Sequence, residues 1–293
     1  MTKQLSDTPP LIVIVGVTAS GKSALAMDLA KRYNGEIICA DSRTIYQGMD
    51  IGTAKPSIQD RVSVSHHLLD VVKPDEFFSA AEFKRLANLA MADISARGKL
   101  PIMVGGSGLY IDGVIFDFAF LPPVSDVERQ ELEAMTVEQL QQKLIAMGVG
   151  LPENRQNPRH LIRKIETNGA VPVKKNVREN TLIIGLDIER DIIKERITSR
   201  VEQMIKDGFV DEVKRLCELY DNNAPGMLAP GYKAFRRYCD GEINIEQAKT
   251  EFIRADFQLA RRQRTWFKRN QNINWINKAS EADVIVKYFL QQK

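Results

Sequence analysis

LIVIVGVTASGKSALAMDLA, residues 11–30, is the stretch from which the fold can be read. Leu11 to Val15 is a continuous apolar run, as in a strand covered on both faces, and it leads into Gly16. From Ser23 to Tyr33, Leu25, Ala26, Leu29 and Ala30 recur at helical spacing. Between strand and helix, Gly16, Gly21, Lys22 and Ser23 satisfy G-x-x-x-x-G-K-S/T. The loop Gly16, Val17, Thr18, Ala19, Ser20, Gly21 can turn successive N–H groups inward, and the helix behind it adds its positive N-terminal end. Lys22 supplies a mobile cation, and the Ser23 hydroxyl can ligate a Mg²⁺ bound to the phosphates. A chance match in a turn would lack the strand before and the helix after. The motif therefore implies a phosphate ester with Mg²⁺, without saying whether the phosphate is transferred, hydrolysed or expelled.

Working outward, Glu36 to Ala40 (EIICA) reads as a second buried strand ending at Asp41. Ser79 to Gly98 reads as a helix with Phe83, Leu86, Leu89, Ala90 and Ile94 on one stripe. Pro101 to Val104 reads as a third strand entering Gly105-Gly106-Ser107-Gly108, and Thr181 to Ile188 as another. Asn272 to Ile276 and Glu281 to Gln291 close the pattern with a strand and a helix. Strands alternating with helices predict an α/β fold, a P-loop NTPase-like parallel sheet flanked by helices. The pattern changes after Phe120, where Ser125 with Glu128 and Thr136 with Gln139 mark two helix starts. The expected organisation is a catalytic core over 1–116 and 178–293 and a helical insertion over 117–177. The stretch from Glu189 to Arg269 is mostly helical, with breaks at Gly208 and at DNNAPGMLAPGY.

Composition narrows the class. The 293 residues carry a net charge of +3 and are 44% hydrophobic and 27% charged, as in ordinary globular proteins. No apolar run approaches the roughly 18 residues of a membrane helix, and MTKQLSDTPP lacks a signal-peptide core. Cys39, Cys217 and Cys239 are widely spaced and odd in number, which fits a reducing cytoplasm rather than a disulfide framework or a zinc pair. His66 and His67 are adjacent, with no third ligand spaced for zinc, and are expected to be structural.

In a parallel sheet, ligands gather at the carboxyl ends of the strands. Three such ends are visible here: the Gly16 loop, Asp41-Ser42, and Gly105 to Gly108. A triphosphatase would add a strand ending in a magnesium-binding Asp, but the strand before Gly105 ends in glycine, and Asp187, after Thr181 to Leu186, lies beyond the insertion. Asp41 is a carboxylate at a strand tip in surroundings unusual for a kinase.

At this point GVTASGKS (16–23), ADSRTIYQGMDIGTAKP (40–56), HHLLDVVKPDEFFSAAEF (66–83), VGGSGLYI (104–111) and LARRQRTWF (259–267) can be taken together. In order and spacing they resemble the tRNA dimethylallyltransferase (isopentenyltransferase) family, over nearly the whole chain. The resemblance implies transfer of a dimethylallyl group from its diphosphate to N6 of the adenosine 3′ of the anticodon, in tRNAs reading codons that begin with U. The partners implied are tRNA, through its anticodon stem-loop, and dimethylallyl diphosphate; no membrane is involved, and a monomer is expected. Asp41 resembles the family's general base, and Ser107 matches a threonine whose hydroxyl contacts the diphosphate near its bridging oxygen. Arg200 in RITSRVEQM resembles an arginine that contacts the same diphosphate. Lys22 and the 16–23 amides would stabilise charge on the departing diphosphate. The phosphate is then a leaving group.

For tRNA, RRQRTWFKR (261–269) places five basic residues in nine. Arg261, Arg264 and Lys268 share one helical face and Leu259, Arg262 and Trp266 another, so the arginines are expected at phosphates and the tryptophan in packing, with Gln263 in the same contact set. Ser42, Arg43 and Thr44, following the base directly, are candidates to contact the extruded adenosine and its neighbours. The family's usual D-S-x-Q has threonine here at position 44, which cannot offer the paired donor and acceptor of a glutamine amide. In NRQNPRHLIRKIETNG, aligning Arg163 and Glu166 with the family's N-D-x-x-R-x-x-R-A-L-E puts Gln156, Asn157 and His160 at its anticodon-loop positions. The insertion resembles the domain that closes over the anticodon arm. Two other readings keep the phosphate loop. One is a small-molecule enzyme, either an adenylate isopentenyltransferase or a P-loop metabolite kinase. The other is a tRNA-binding protein without catalysis.

Overall fold

The computed structural model describes residues 8–121, 125–171, 173 and 175–292; the N-terminal stretch read for a leader lies, up to residue 7, outside the described residues. The chain divides into two compact units, Met1–Ile115 with Val177–Lys293, and Phe116–Asn176.

The first unit is built on a parallel sheet. Its strands are β1 (Leu11–Gly16), β2 (Gly35–Ala40), β3 (His66–His67), β4 (Leu100–Gly105), β5 (Thr181–Leu186) and β6 (Ile273–Ile276). They lie in the order β3-β2-β4-β1-β5-β6, every pairing parallel. β1 and β4 are buried along their whole length, as continuous apolar runs require when helices cover both faces. α1 (Lys22–Arg32) packs Leu25, Ala26, Leu29 and Ala30 onto the sheet with Ile12, Ile14, Ile37 and Ile184. α2 (Ile58–Ser63) is a short capped turn of helix before β3.

α3 (Ala80–Ala96) begins at Ser79, whose hydroxyl accepts from Glu82 N–H. Its buried stripe is Phe83, Ala87, Met91 and Ile94, and Leu89 is 56% exposed, which corrects the expected stripe. The small Ala87 and Met91 keep the four-residue repeat that lets the helix lie close to the sheet, and Leu89 falls off that row. α4 (Gly108–Ile115) follows β4 directly. Arg178 N–H donates to Ile115 O at 2.7 Å, joining the points where the chain leaves and re-enters this unit.

The second unit contains α5 (Asp126–Glu133), α6 (Val137–Ala146) and α7 (Pro158–Glu166) around Leu132, Leu140, Leu144, Leu161, Ile162 and Ile165. Thr136 and Gln139 form the expected reciprocal cap of α6; at α5 the Ser125 hydroxyl accepts from Glu128 N–H. Glu166, its side chain 2% exposed, is held by Arg129 at 2.6 Å and Arg163 at 3.0 Å.

The remainder of the first unit is helical: α8 (Arg190–Lys206), α9 (Phe209–Leu219), α10 (Pro230–Cys239), α11 (Ile245–Phe267) and α12 (Ser280–Gln291). Gly208, at φ 98°, breaks α8 from α9. At the sheet edge, buried Glu36 accepts from Arg97, Lys99 and His67, and the Arg97 hydrogen bonds above all hold its carboxyl well below the usual range. His67 is thus a structural partner, and among the described residues no group of three or more His, Cys, Asp or Glu could hold a metal.

Candidate active site

The strand order β2-β4-β1 puts three adjacent strand ends side by side, and each carries a loop of interest. Gly105 is in register with Val15 on one side and Ala40 on the other, so the 105–108 loop stands between the phosphate loop and Asp41. Ser107 ties the arrangement together. Its N–H donates to Ala40 O at 3.2 Å, and its hydroxyl oxygen accepts from Ser42 N–H at 2.8 Å. With a lone pair so engaged, the Ser107 O–H is left to point elsewhere as a donor. Asp41 is half-buried; its Oδ1 accepts from Arg43 N–H at 2.9 Å, and among the described residues no hydrogen bond occupies Oδ2.

The phosphate loop is braced from outside. Ser20 N–H donates to Val17 O, and Arg196 reaches the carbonyls of Ala19 and Ser20, which turns those oxygens away from the cradle. Gly21, Lys22 and Ser23 form the head of α1, where helical N–H groups have no partner in the helix itself. Lys22 Nζ donates to Val17 O at 3.2 Å. Burial lowers the Lys22 ammonium from 10.5 to about 8, and Asp41 pulls it partly back up. Arg200 donates to Thr18 Oγ1 at 2.9 Å and to Asp256 Oδ2 at 2.6 Å, so the arginine expected at the diphosphate does stand at the loop. Burial raises the Asp256 carboxyl, opposed by Arg200. Asp41, Lys22, Arg200 and Asp256 thus form one interacting group of two acids and two bases.

Thr18 differs from the simplest expectation. Its N–H donates to Gln263 Oε1 at 2.8 Å, so it joins the cradle through its hydroxyl and Arg200 rather than through its amide. Gln263 is itself a correction: it is 8% exposed and both ends of its amide are bonded within the protein, so it is not on a surface that RNA can meet. Thr44 is the second correction. It is 7% exposed with its hydroxyl buried, which removes it from contact with a base.

Of the remaining candidates, Arg261 and Arg262 are exposed on α11 and Lys268 is exposed at its C-cap. Arg264 is half-buried and is bound to Ile188 O and, at 3.3 Å, to Asp187. Trp266 is half-buried, donating to Asp112 at 3.0 Å. Ser42 and Arg43 are half-buried beside Asp41, and Arg43 donates to Pro225 O at 3.4 Å. In the second unit Gln156 and His160 are exposed, while Asn157 caps α7 by accepting from Arg159 N–H.

Sequence reading missed several supporting groups and gave Gln263 a different role. Asp256 and Gln263 lie on the buried stripe of α11, Ala248-Phe252-Asp256-Ala260-Gln263-Phe267. Polar residues on an apolar stripe are a signal that was available in the sequence. Lys55 of DIGTAKP, its side chain 1% exposed, donates to Tyr46 O, Asp50 and Asp70. Glu212 of α9 accepts from the N–H groups of Asp50, Ile51 and Gly52 and from Tyr232 O–H. A Cβ on Gly52 would stand 2.2 Å from the Phe209 ring, so only glycine lets this turn close on α9. DIGTAKP is therefore a scaffold for the chain that follows Asp41.

A Mg²⁺ fits the donor set as a companion of the diphosphate. Ser23 is exposed at the head of α1 beside Lys22, and among the described residues no group of three or more His, Cys, Asp or Glu would hold the ion alone.

The chain is 38% identical over 284 residues to a tRNA dimethylallyltransferase of Anoxybacillus flavithermus, covering 93% of this chain and 91% of that one. It is 39% identical over 303 residues to the tRNA dimethylallyltransferase of Acetivibrio thermocellus, covering 96% and 97%. The crystal structure of the tRNA isopentenylpyrophosphate transferase of Bacillus halodurans superposes with a TM-score of 0.76 at 36% identity, covering 97% of this chain and 98% of that one. With the IPP transferase family profile matching residues 44–270, from the loop after Asp41 to the end of the basic helix, the chain belongs to that family.

Proposed function

We propose that this protein transfers a dimethylallyl group from dimethylallyl diphosphate to N6 of the adenosine 3′ of the anticodon, in tRNAs reading codons that begin with U, releasing diphosphate. The observation that carries the reading is the juxtaposition of Asp41 and the phosphate loop at neighbouring strand ends, with Ser107 between them. The exocyclic amine of adenine is a poor nucleophile because its lone pair is conjugated into the ring. Asp41 Oδ2 takes its proton as the new C–N bond forms. The allylic C–O bond breaks on the other side of the transferred carbon, and negative charge grows on the bridging oxygen. Ser107 O–H donates to that oxygen, while Lys22, Arg200 and the amides at the head of α1 receive the charge. Ser23 would hold a Mg²⁺ bound with the diphosphate, and that ion would supply further charge neutralisation.

The tRNA is held at its phosphates by Arg261, Arg262 and Lys268, with Ser42 and Arg43 beside the extruded base. Gln156 and His160 of the second unit supply further anticodon-arm contacts. Among the described residues no helix is long and apolar enough to cross a membrane, and the three cysteines are unpaired, which supports a cytoplasmic site of action. The test is mass spectrometry of nucleosides after incubation with dimethylallyl diphosphate, Mg²⁺ and bulk tRNA, with AMP as a parallel acceptor. Dimethylallyl-adenosine in digested tRNA and none on AMP is the expected result; modification of AMP alone, or tRNA binding without modification, overturns it.

A further inference from the structure

Gln263 is the polar side chain of the segment 261–269 that is buried, beside apolar Phe267, and its contacts join two of the three active-site loops. Its Oε1 accepts from Thr18 N–H at 2.8 Å, in the phosphate loop, and its Nε2 donates to Gly106 O at 3.1 Å, in the loop that presents Ser107. The fit is close: a Cβ on Gly106 would lie 2.2 Å from Gln263 Nε2, so the carboxamide occupies space that any other residue at 106 would fill. The second glycine of GGSG is thus explained by the glutamine of RRQRTWF, which lies 157 residues away in the chain. Neither contact can be replaced by water without opening the packing, because the amide is buried.

We propose that Gln263 is the positioning residue that sets the spacing between the diphosphate cradle and Ser107. It does so as a two-ended clasp, one acceptor and one donor at fixed separation on a rigid helix. Through Thr18 the clasp also reaches Arg200, which donates to the Thr18 hydroxyl, so one side chain orders the cation and the loop together. Because α11 carries Arg261 and Arg262 on its exposed side and Lys268 at its C-cap, the same helix that meets RNA in the proposed function seats the cradle. The inference rests on the reading of residues 16–23 as a diphosphate site.

The test measures binding of Mg²⁺-diphosphate by calorimetry and of an anticodon stem-loop RNA by gel shift, with a thermal melt as the folding control. Wild type is expected to bind diphosphate and Lys22→Ala to lose it; if wild type does not bind, the diphosphate reading and this inference both fall. Gln263→Met, similar in volume and without hydrogen bonds, is expected to melt cooperatively, keep its RNA affinity and bind diphosphate about tenfold more weakly, the loss expected for about one hydrogen bond's worth of alignment. Gln263→Glu keeps the acceptor for Thr18 but, when ionised, cannot donate to Gly106 O. Protonation restores a donor, so its diphosphate affinity relative to wild type is expected to recover as pH falls from about 8 to about 5.5. Lys22, Asp41, Arg200 and Asp256 are the charged groups around the loop in both proteins, and the wild-type pH series is the reference for their contribution. A folded Gln263→Met with diphosphate affinity within about twofold of wild type, or with an equal loss of RNA affinity, overturns the clasp. Should Gln263→Met not fold, a flat pH ratio for Gln263→Glu overturns it instead.

Discussion

In the proposed reaction Asp41 and Lys22 meet opposite demands on their charge. Asp41 has to be ionised to accept a proton from adenine, and its Oδ1 is already steadied by Arg43 N–H. Asp41→Ala is expected to keep tRNA affinity and to lower kcat by about 10²–10⁴, the usual worth of a positioned base; near-normal kcat in a single-turnover assay would remove Asp41 from that role. Lys22 is held at about 8 by burial, below its ordinary 10.5. Between those two values the unfolded chain binds more protons than the folded one, so this group makes stability rise with pH across that window, and its full burial cost is present below about pH 8. Lys22→Met is therefore expected to raise Tm by about 2 °C or more at pH 7 while abolishing diphosphate binding, which calorimetry would show in one sample. The arriving anion favours the charged lysine, so diphosphate binding above pH 8 is expected to take up a proton, visible as a buffer-dependent binding enthalpy.

α11 serves two surfaces. Its buried stripe carries Asp256 and Gln263 to the site, its exposed side carries Arg261 and Arg262, and its C-cap is Lys268. Replacing those three by alanine is expected to flatten the slope of log affinity for tRNA against log salt by about 2–3, since each phosphate contact contributes about 0.7–0.9; an unchanged slope takes the helix out of the RNA interface. Arg264, bound to Ile188 O and Asp187, is expected to contribute less to that slope and more to stability. α9 has a different task. Glu212 is the common acceptor for three backbone N–H groups of the 50–52 turn and for Tyr232 O–H, so Glu212→Ala leaves several buried donors without a partner. The expected loss is about 3 kcal/mol or more in a urea titration, because buried donors left unsatisfied cost more than the bonds are worth.

At the scale of the molecule, the second unit is inserted where the first unit nearly closes on itself. Ile115 O and Arg178 N–H are hydrogen-bonded across the insertion, so the catalytic unit contains its own junction. Linking Ile115 to Val177 through a short Gly-Ser loop is expected to leave a cooperatively melting protein that binds Mg²⁺-diphosphate as wild type does but binds an anticodon stem-loop about tenfold or more weakly. Unfolding of that deletion variant would show that the insertion is needed for the core.

Much of the architecture was legible along the chain, because strand burial, helix caps and the phosphate loop are local patterns. β1, β2, β4, β5 and β6 lie within a residue or two of their predicted positions, whereas β3, two residues long, leaves no periodicity to read. The α3 stripe was misread because a leucine looks more like core than an alanine, yet close packing on the sheet favours the small residue at Ala87. The sequence by itself determined the strand, glycine loop and helix of residues 11–32, the carboxylate at the tip of β2 and the parallel sheet. Only the tertiary structure decided that Gln263 and Thr44 face inward, that Asp256 holds Arg200, and that DIGTAKP is a scaffold gripped by Glu212. Those facts depend on contacts between segments far apart in the chain, where helical spacing gives a residue's face but not what that face meets.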